Sequence, residues 1–159
     1  LRDDVDFTDG THFNAEAAKA NLLHFRDSSG THADLLSGVT DVEVVAERAE
    51  DAGREPTLRG TFDLVVARAV APLNILVEYG LPLLRDGGVM VAPKGSRALD
   101  ELAEAGPAIA VLGGTVLDPA PLALPPDVPP QTVIFIRRDG VLDDRYPRRT
   151  GVPAKRPLT

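Results

Sequence analysis

Phe62-Asp63-Leu64-Val65-Val66-Ala67-Arg68-Ala69-Val70-Ala71 and the stretch that follows, Pro72-Leu73-Asn74-Ile75-Leu76-Val77-Glu78-Tyr79-Gly80-Leu81-Pro82-Leu83-Leu84, decide the fold. Phe62 to Ala67 is apolar except for one aspartate, the pattern of a buried strand. From Leu73 onward the apolar residues Leu73, Leu76, Val77, Leu81 and Leu84 recur at helical spacing. Arg85-Asp86-Gly87-Gly88 breaks the helix, and Val89-Met90-Val91-Ala92 is a second apolar run. Strand, helix, strand predicts a parallel pair joined by a crossover, the unit of an α/β sheet with helices on both faces.

Outward from this unit the same reading continues. Upstream, Val42-Glu43-Val44-Val45-Ala46 is a short β-branched run that reads as another buried strand. Downstream, Arg97 to Leu112 reads as a helix with a break or kink at Gly106-Pro107 and an end at Gly113-Gly114. A strand is expected from about Thr115, then a proline-rich connection from Pro119 to Pro130, then the strand Gln131 to Arg138. The last two strands have no helix between them, which predicts an antiparallel pair. Residues 1–39 read as a weakly structured segment with a helix around Asn14 to Phe25 and a short helical piece to Leu36. Residues 40–138 read as the α/β domain, and 139–159 as a basic tail or surface arm with no periodicity.

At 159 residues the chain fits one core of ordinary size, and 43% hydrophobic with 26% charged residues excludes a disordered composition. No apolar run approaches the roughly 20 residues of a membrane helix. No cysteine is present, so no disulfide, thiolate metal site or cysteine nucleophile exists. The opening also lacks a basic-then-apolar leader, and a cytoplasmic protein is expected. The chain begins with Leu1, and the expectation is that sequence is missing upstream. The net charge of −7 is unevenly spread: residues 1–55 carry 13 acids against five bases, whereas Arg145 to Thr159 holds five bases and no acid. The first part repels phosphate and the end attracts it.

Ligands of open α/β sheets bind beyond the carboxyl ends of the strands. The exits there are Arg48-Ala49-Glu50-Asp51, Arg68-Ala69 and Pro93-Lys94-Gly95. Arg68 is placed either to reach a carboxylate or phosphate or to solvate its head over a packed stem. Glu50 or Asp51 either binds a ribose hydroxyl or amine, or caps a short helix. Lys94 faces a phosphate or a base, or precedes a helix capped by Ser96. Tyr146-Pro147-Arg148-Arg149-Thr150-Gly151-Val152-Pro153-Ala154-Lys155-Arg156-Pro157 combines a ring with cations, the residue types that contact nucleic-acid phosphates and bases. His12, His24 and His32 match no metal-ligand spacing, and no metal is expected. Asp4 to Gly10 is only superficially like a calcium loop, because its glycine is one place late and Ala15 stands at the twelfth position. There is no G-x-S-x-G, P-loop or H-E-x-x-H.

In order and spacing, Arg48-Ala49-Glu50-Asp51, Phe62 to Ala71, Leu83-Leu84-Arg85-Asp86-Gly87-Gly88, Lys94-Gly95 and the terminal YPRRTGVPAKRPL resemble the RsmG (GidB) family, the guanine-N7 methyltransferases of 16S ribosomal RNA. The resemblance runs from about Thr40 to Leu158. It implies a Rossmann-like class I methyltransferase fold, mostly parallel with an antiparallel C-terminal strand pair. It also implies S-adenosylmethionine as cofactor and 16S rRNA or the small ribosomal subunit as partner, with no membrane and no metal. By position, Ala49, Glu50 and Arg68 match the family's cofactor contacts. Lys94, Arg148, Arg149, Lys155 and Arg156 fall where RNA contact is implied. Guanine N7 has a free lone pair and no proton to remove, so no catalytic base is assigned. The family's glycine-rich motif belongs upstream of Thr40, yet none of the 14 glycines forms a G-x-G. Asp27 is a poor substitute for the ribose-binding acid. The N-terminal part is therefore expected to be truncated or altered, and two readings stand beside methyl transfer: a non-catalytic RNA-binding remnant and an inactive fragment.

Overall fold

The computed structural model describes residues 5–28, 37–125 and 127–159. Contacts divide the chain into two units, Leu1–Glu47 and Arg48–Thr159.

In the first unit, helix α1 (Ala15–Asp27) forms where the sequence predicts it, because Asn14 accepts the Ala17 N–H at 2.8 Å and supplies the N-cap. No residue of α1 is buried. Before it, Asp6 and His12 form a single bridge, and the Phe7 and Phe13 rings meet edge to face at 5.5 Å. Arg26 donates to the Val39 carbonyl at 2.8 Å and Lys19 pairs with Asp41 at 2.7 Å, tying the following chain to α1. The helical piece expected before Leu36 lies outside the described residues. The strand expected at Val42 to Ala46 does not form. A strand exists by pairing, and among the described residues no ladder includes this run.

The second unit carries the sheet. After the single helical turn α2 (Ala49–Ala52), β1 (Phe62–Val66) leads into α3 (Leu73–Gly80) and a 3₁₀ turn, Leu81–Leu83. Then come β2 (Leu84–Lys94), α4 (Ala98–Val111), β3 (Gly114–Val116), β4 (Ala120–Leu122), β5 (Gln131–Arg138) and α5 (Val152–Lys155). The order is β1-β2-β5-β3, with β4 beside β5. β1 and β2 are parallel, whereas β5 runs antiparallel to β2, β3 and β4. The chain is thus α/β, with the predicted parallel crossover and the predicted antiparallel C-terminal strand. Without a strand at Val42 to Ala46, the parallel part is the β1–β2 pair.

Two local expectations are revised. Arg85 to Gly88 lies inside β2 rather than before it, and the extra residues are absorbed by a register shift against Phe62 and Leu64. Gly88 is required there, since a Cβ would stand 2.9 Å from the Phe62 carbonyl oxygen. Gly106-Pro107 does not break α4. Pro107 is exposed, and so is Ala103, whose carbonyl loses its helical partner there and is left to solvent.

Leu73, Leu76 and Val77 of α3 pack with Ala105, Ala108 and Ile109 of α4 over Met90, Ala92, Ile134 and Ile136 of the sheet. Gly80 allows α3 to close onto β2, where a Cβ would lie 2.9 Å from Met90 Sδ. Since α3 and α4 touch each other, they share one face of the sheet rather than covering both. Val65 of β1 and Ala67 just after it face this core, while Leu64 and Val66 are 54% and 62% exposed.

Candidate functional site

β1 and β2 are parallel, so their carboxyl ends open at the same edge of the sheet. Ala67 N–H still bonds Val91 O at 3.1 Å, after which the chain leaves the ladder at Arg68. Ala69 takes a left-handed conformation (φ +56°) and Pro72 leads into α3. This turn, the β2 exit at Pro93 to Gly95, Glu101 of α4 and Gln131 of β5 line an open cleft of about 410 Å³. Arg68 stands exposed on its wall, and among the described residues no carboxylate pairs with it. Its long cationic side chain therefore remains available to an anionic group.

Lys94 sits differently from a free surface cation. Its ammonium donates to Ala71 O at 2.8 Å and pairs with Glu101 Oε2 at 2.9 Å, and its side chain is only 10% exposed. The same Glu101 oxygen accepts the Leu73 N–H at 3.0 Å and caps α3. Burial alone would raise the Glu101 pKa. The hydrogen bonds from Lys94 and Leu73 and the charges of Lys94 and Arg97 outweigh it, leaving the carboxyl below its ordinary value.

A second, apolar cavity of about 140 Å³ lies between Ala49, Val65, Ala67, Leu76, Tyr79 and Met90. Val70 lines both cavities, so they adjoin across the β1 exit. Burial and the neighbouring Glu50 and Glu78 carboxylates push the Tyr79 hydroxyl up, against a smaller opposing effect of Arg48. Ala49 is half-buried at this cavity. Glu50 is buried and its carboxylate is engaged: Oε1 accepts the Gly151 N–H at 2.9 Å, and Arg48 Nε lies 3.6 Å from Oε2.

Gly151 belongs to the segment that the sequence presents as a tail. In the structure this segment is anchored, with Tyr146, Pro147 and Pro153 buried. Arg59 donates to the Tyr146 carbonyl, Arg148 grips the buried Glu78, and Thr150 Oγ1 donates to Asp51 Oδ1 at 2.7 Å. Of the basic residues singled out there, Arg148 is held by Glu78, whereas Arg149, Lys155 and Arg156 are exposed. Sequence reasoning passed over Glu78 and Glu101. The available signal was an acid inside an apolar helical run for Glu78 and an acid seven positions after Lys94 for Glu101. Among the described residues no cluster of three or more His, Asp or Glu side chains is arranged for a metal, and no helix is long and apolar enough to cross a membrane.

A parallel strand pair with a crossover helix and a cleft at its carboxyl end defines an α/β domain whose cleft lies where open α/β sheets bind their ligands. The family model described as rRNA small subunit methyltransferase G (GidB) matches residues 32–120, more than half of the chain, and the chain belongs to that family. The match begins upstream of Thr40, where the resemblance in the sequence starts. A ribosomal RNA small subunit methyltransferase G of Lactobacillus johnsonii is 49% identical over 121 residues, 76% of this chain and 51% of that protein. The protein of the same name in Roseiflexus castenholzii is 47% identical over 127 residues, 80% and 54% respectively. That of Chloroflexus aggregans is 43% identical over 138 residues, 83% and 58%. The chain spans about half the length of these curated relatives. A crystal structure described as M. jannaschii TYW2 in complex with AdoMet aligns at a TM-score of 0.40 and 16% identity, over 56% of this chain and 43% of that one.

Proposed function

We propose that the chain serves the S-adenosylmethionine-dependent methylation of a guanine N7 in 16S ribosomal RNA, in the cytoplasm. The observation that carries this is the pair of adjoining cavities at the β1 exit in a member of a small-subunit rRNA methyltransferase family. Residues 40–138 form the methyltransferase-like domain, and 139–159 the RNA-facing segment.

The residues at the two cavities fit such a cofactor. The apolar walls at Ala49, Val65, Ala67 and Leu76 suit an adenine ring, and Arg68, with no carboxylate partner among the described residues, suits an amino-acid carboxylate. When bound, S-adenosylmethionine supplies an electrophilic methyl group on a positively charged sulfur. Ala49 contributes its methyl and backbone, because the Glu50 carboxylate is committed to Gly151 and holds α2 in place for it. The 410 Å³ cleft takes a base and orients it. No side chain needs to move a proton, since N7 carries none. Arg149, Lys155 and Arg156 meet RNA phosphates directly, while the charges of Lys94 and Arg148 are engaged internally, by Glu101 and by Glu78.

The test is incubation of the chain with methyl-labelled S-adenosylmethionine and small-subunit rRNA that lacks the modification, followed by strand scission specific to N7-methylguanine. Label at one guanine is expected. RNA binding without label at any guanine would replace methyl transfer with a binding role.

A further inference from the structure

Three elements meet at one side-chain pair. Lys94 leaves the end of β2, Glu101 stands in the first turn of α4, and both turn toward the segment joining β1 to α3. Nζ of Lys94 holds Ala71 O at 2.8 Å, Oε2 of Glu101 holds Leu73 N at 3.0 Å, and the two charges join at 2.9 Å. The loop is thus gripped on either side of Pro72. Pro72 stands at the N-cap of α3 and offers no side-chain cap, so Glu101 supplies from another helix the acceptor that the local sequence lacks. Ala69 in the same loop has φ +56°, a conformation unfavourable for an L-residue that persists only where neighbours enforce it. With side chains 10% and 21% exposed, the pair is largely withdrawn from solvent and from salt screening.

We propose that Lys94 and Glu101 form a positioning pair that sets the Arg68–Pro72 turn, so that Lys94 serves the cleft through this turn and not by touching RNA. The inference rests on the methyltransferase reading for its purpose, but the clamp itself is independent of cofactor and RNA. An ammonium that faced phosphate would contribute one released counterion to RNA binding. An ammonium spent on Ala71 and Glu101 contributes none, and its loss loosens the turn.

The test compares wild type with Lys94→Met, Glu101→Gln, the double variant and Lys94→Arg. The first readout is native-state tryptic cleavage after Arg68, normalised to cleavage after Arg85 so that global unfolding, which raises both, is separated from loosening of the turn. Each of the first two variants is expected to raise the normalised rate on the order of tenfold, and the double variant no further. Lys94→Arg keeps donors for both partners and is expected to stay near wild type. Unchanged cleavage in Lys94→Met, or additive effects in the double variant, would overturn the proposal whether or not the chain binds cofactor. The second readout is the salt dependence of binding to a small-subunit rRNA fragment. Lys94→Met is expected to leave its slope unchanged, and a fall of about one would make Lys94 a direct phosphate contact.

Discussion

Arg148 Nη2 lies 2.6 Å from Glu78 Oε2, and the Glu78 side chain is completely buried within α3. The Arg148 backbone N–H and Nε also donate to Oε1, both at 2.8 Å, so the carboxylate is fully partnered by one residue. Removing the Arg148 side chain would leave the buried carboxylate its backbone N–H but take away the cation that neutralises it. Arg148→Ala is therefore expected to lower stability by about 3–5 kcal/mol. Urea denaturation checks this, and a loss under about 1 kcal/mol, the range of an exposed pair, would contradict it.

Arg149, Lys155 and Arg156 lie in the same basic segment but are exposed. Their substitution by alanine should change stability by no more than about 0.5 kcal/mol while weakening RNA binding. Each should reduce the salt slope of RNA association by about one. Filter binding from low to moderate salt measures the slopes, and slopes equal to wild type would remove these residues from the interface.

Glu101 gives the pair with Lys94 a pH dependence of defined sign. Its folded pKa lies below the ordinary value of 4.5, because the bonds from Lys94 and Leu73 outweigh burial. Its contribution is accordingly complete above that value and is lost as pH falls through the folded pKa. The gap in thermal midpoint between wild type and Glu101→Gln should be constant from about pH 5 to 7 and should close in more acidic solution. A gap that widens on acidification would reverse the sign.

Among the described residues β1 pairs only with β2 in the sheet, and Leu64 and Val66 on its outer face are 54% and 62% exposed. An open apolar edge of this kind invites association. Leu64→Lys with Val66→Thr should lower binding of an apolar-surface dye and raise solubility without lowering the thermal midpoint. A large drop in midpoint would mean that these side chains are part of a core.

Periodicity exposed β1, α3, α4 and β5 because each shows its pattern within its own residues. Asn14 likewise marked the start of α1. Val42 to Ala46 has the composition of a strand but lacks a ladder among the described residues, and composition does not report pairing. β4 escaped notice inside the proline-rich connection. Among the described residues it bonds to β5 alone, and an edge strand tolerates Pro121 where a central one would not. At the site, Arg68 and Lys94 could be singled out because strand exits are visible in sequence. Their different fates were not, since Lys94 is decided by Ala71 and Glu101. The role of Glu78 depends on a partner 70 residues away, and nothing local announces it.

Calorimetric titration of the 159-residue chain with S-adenosylhomocysteine, the demethylated cofactor, tests the central claim most directly. The account predicts saturable one-to-one binding that Arg68→Ala weakens more than Arg149→Ala does. A folded chain that takes up no ligand, or one whose affinity ignores Arg68, would contradict it.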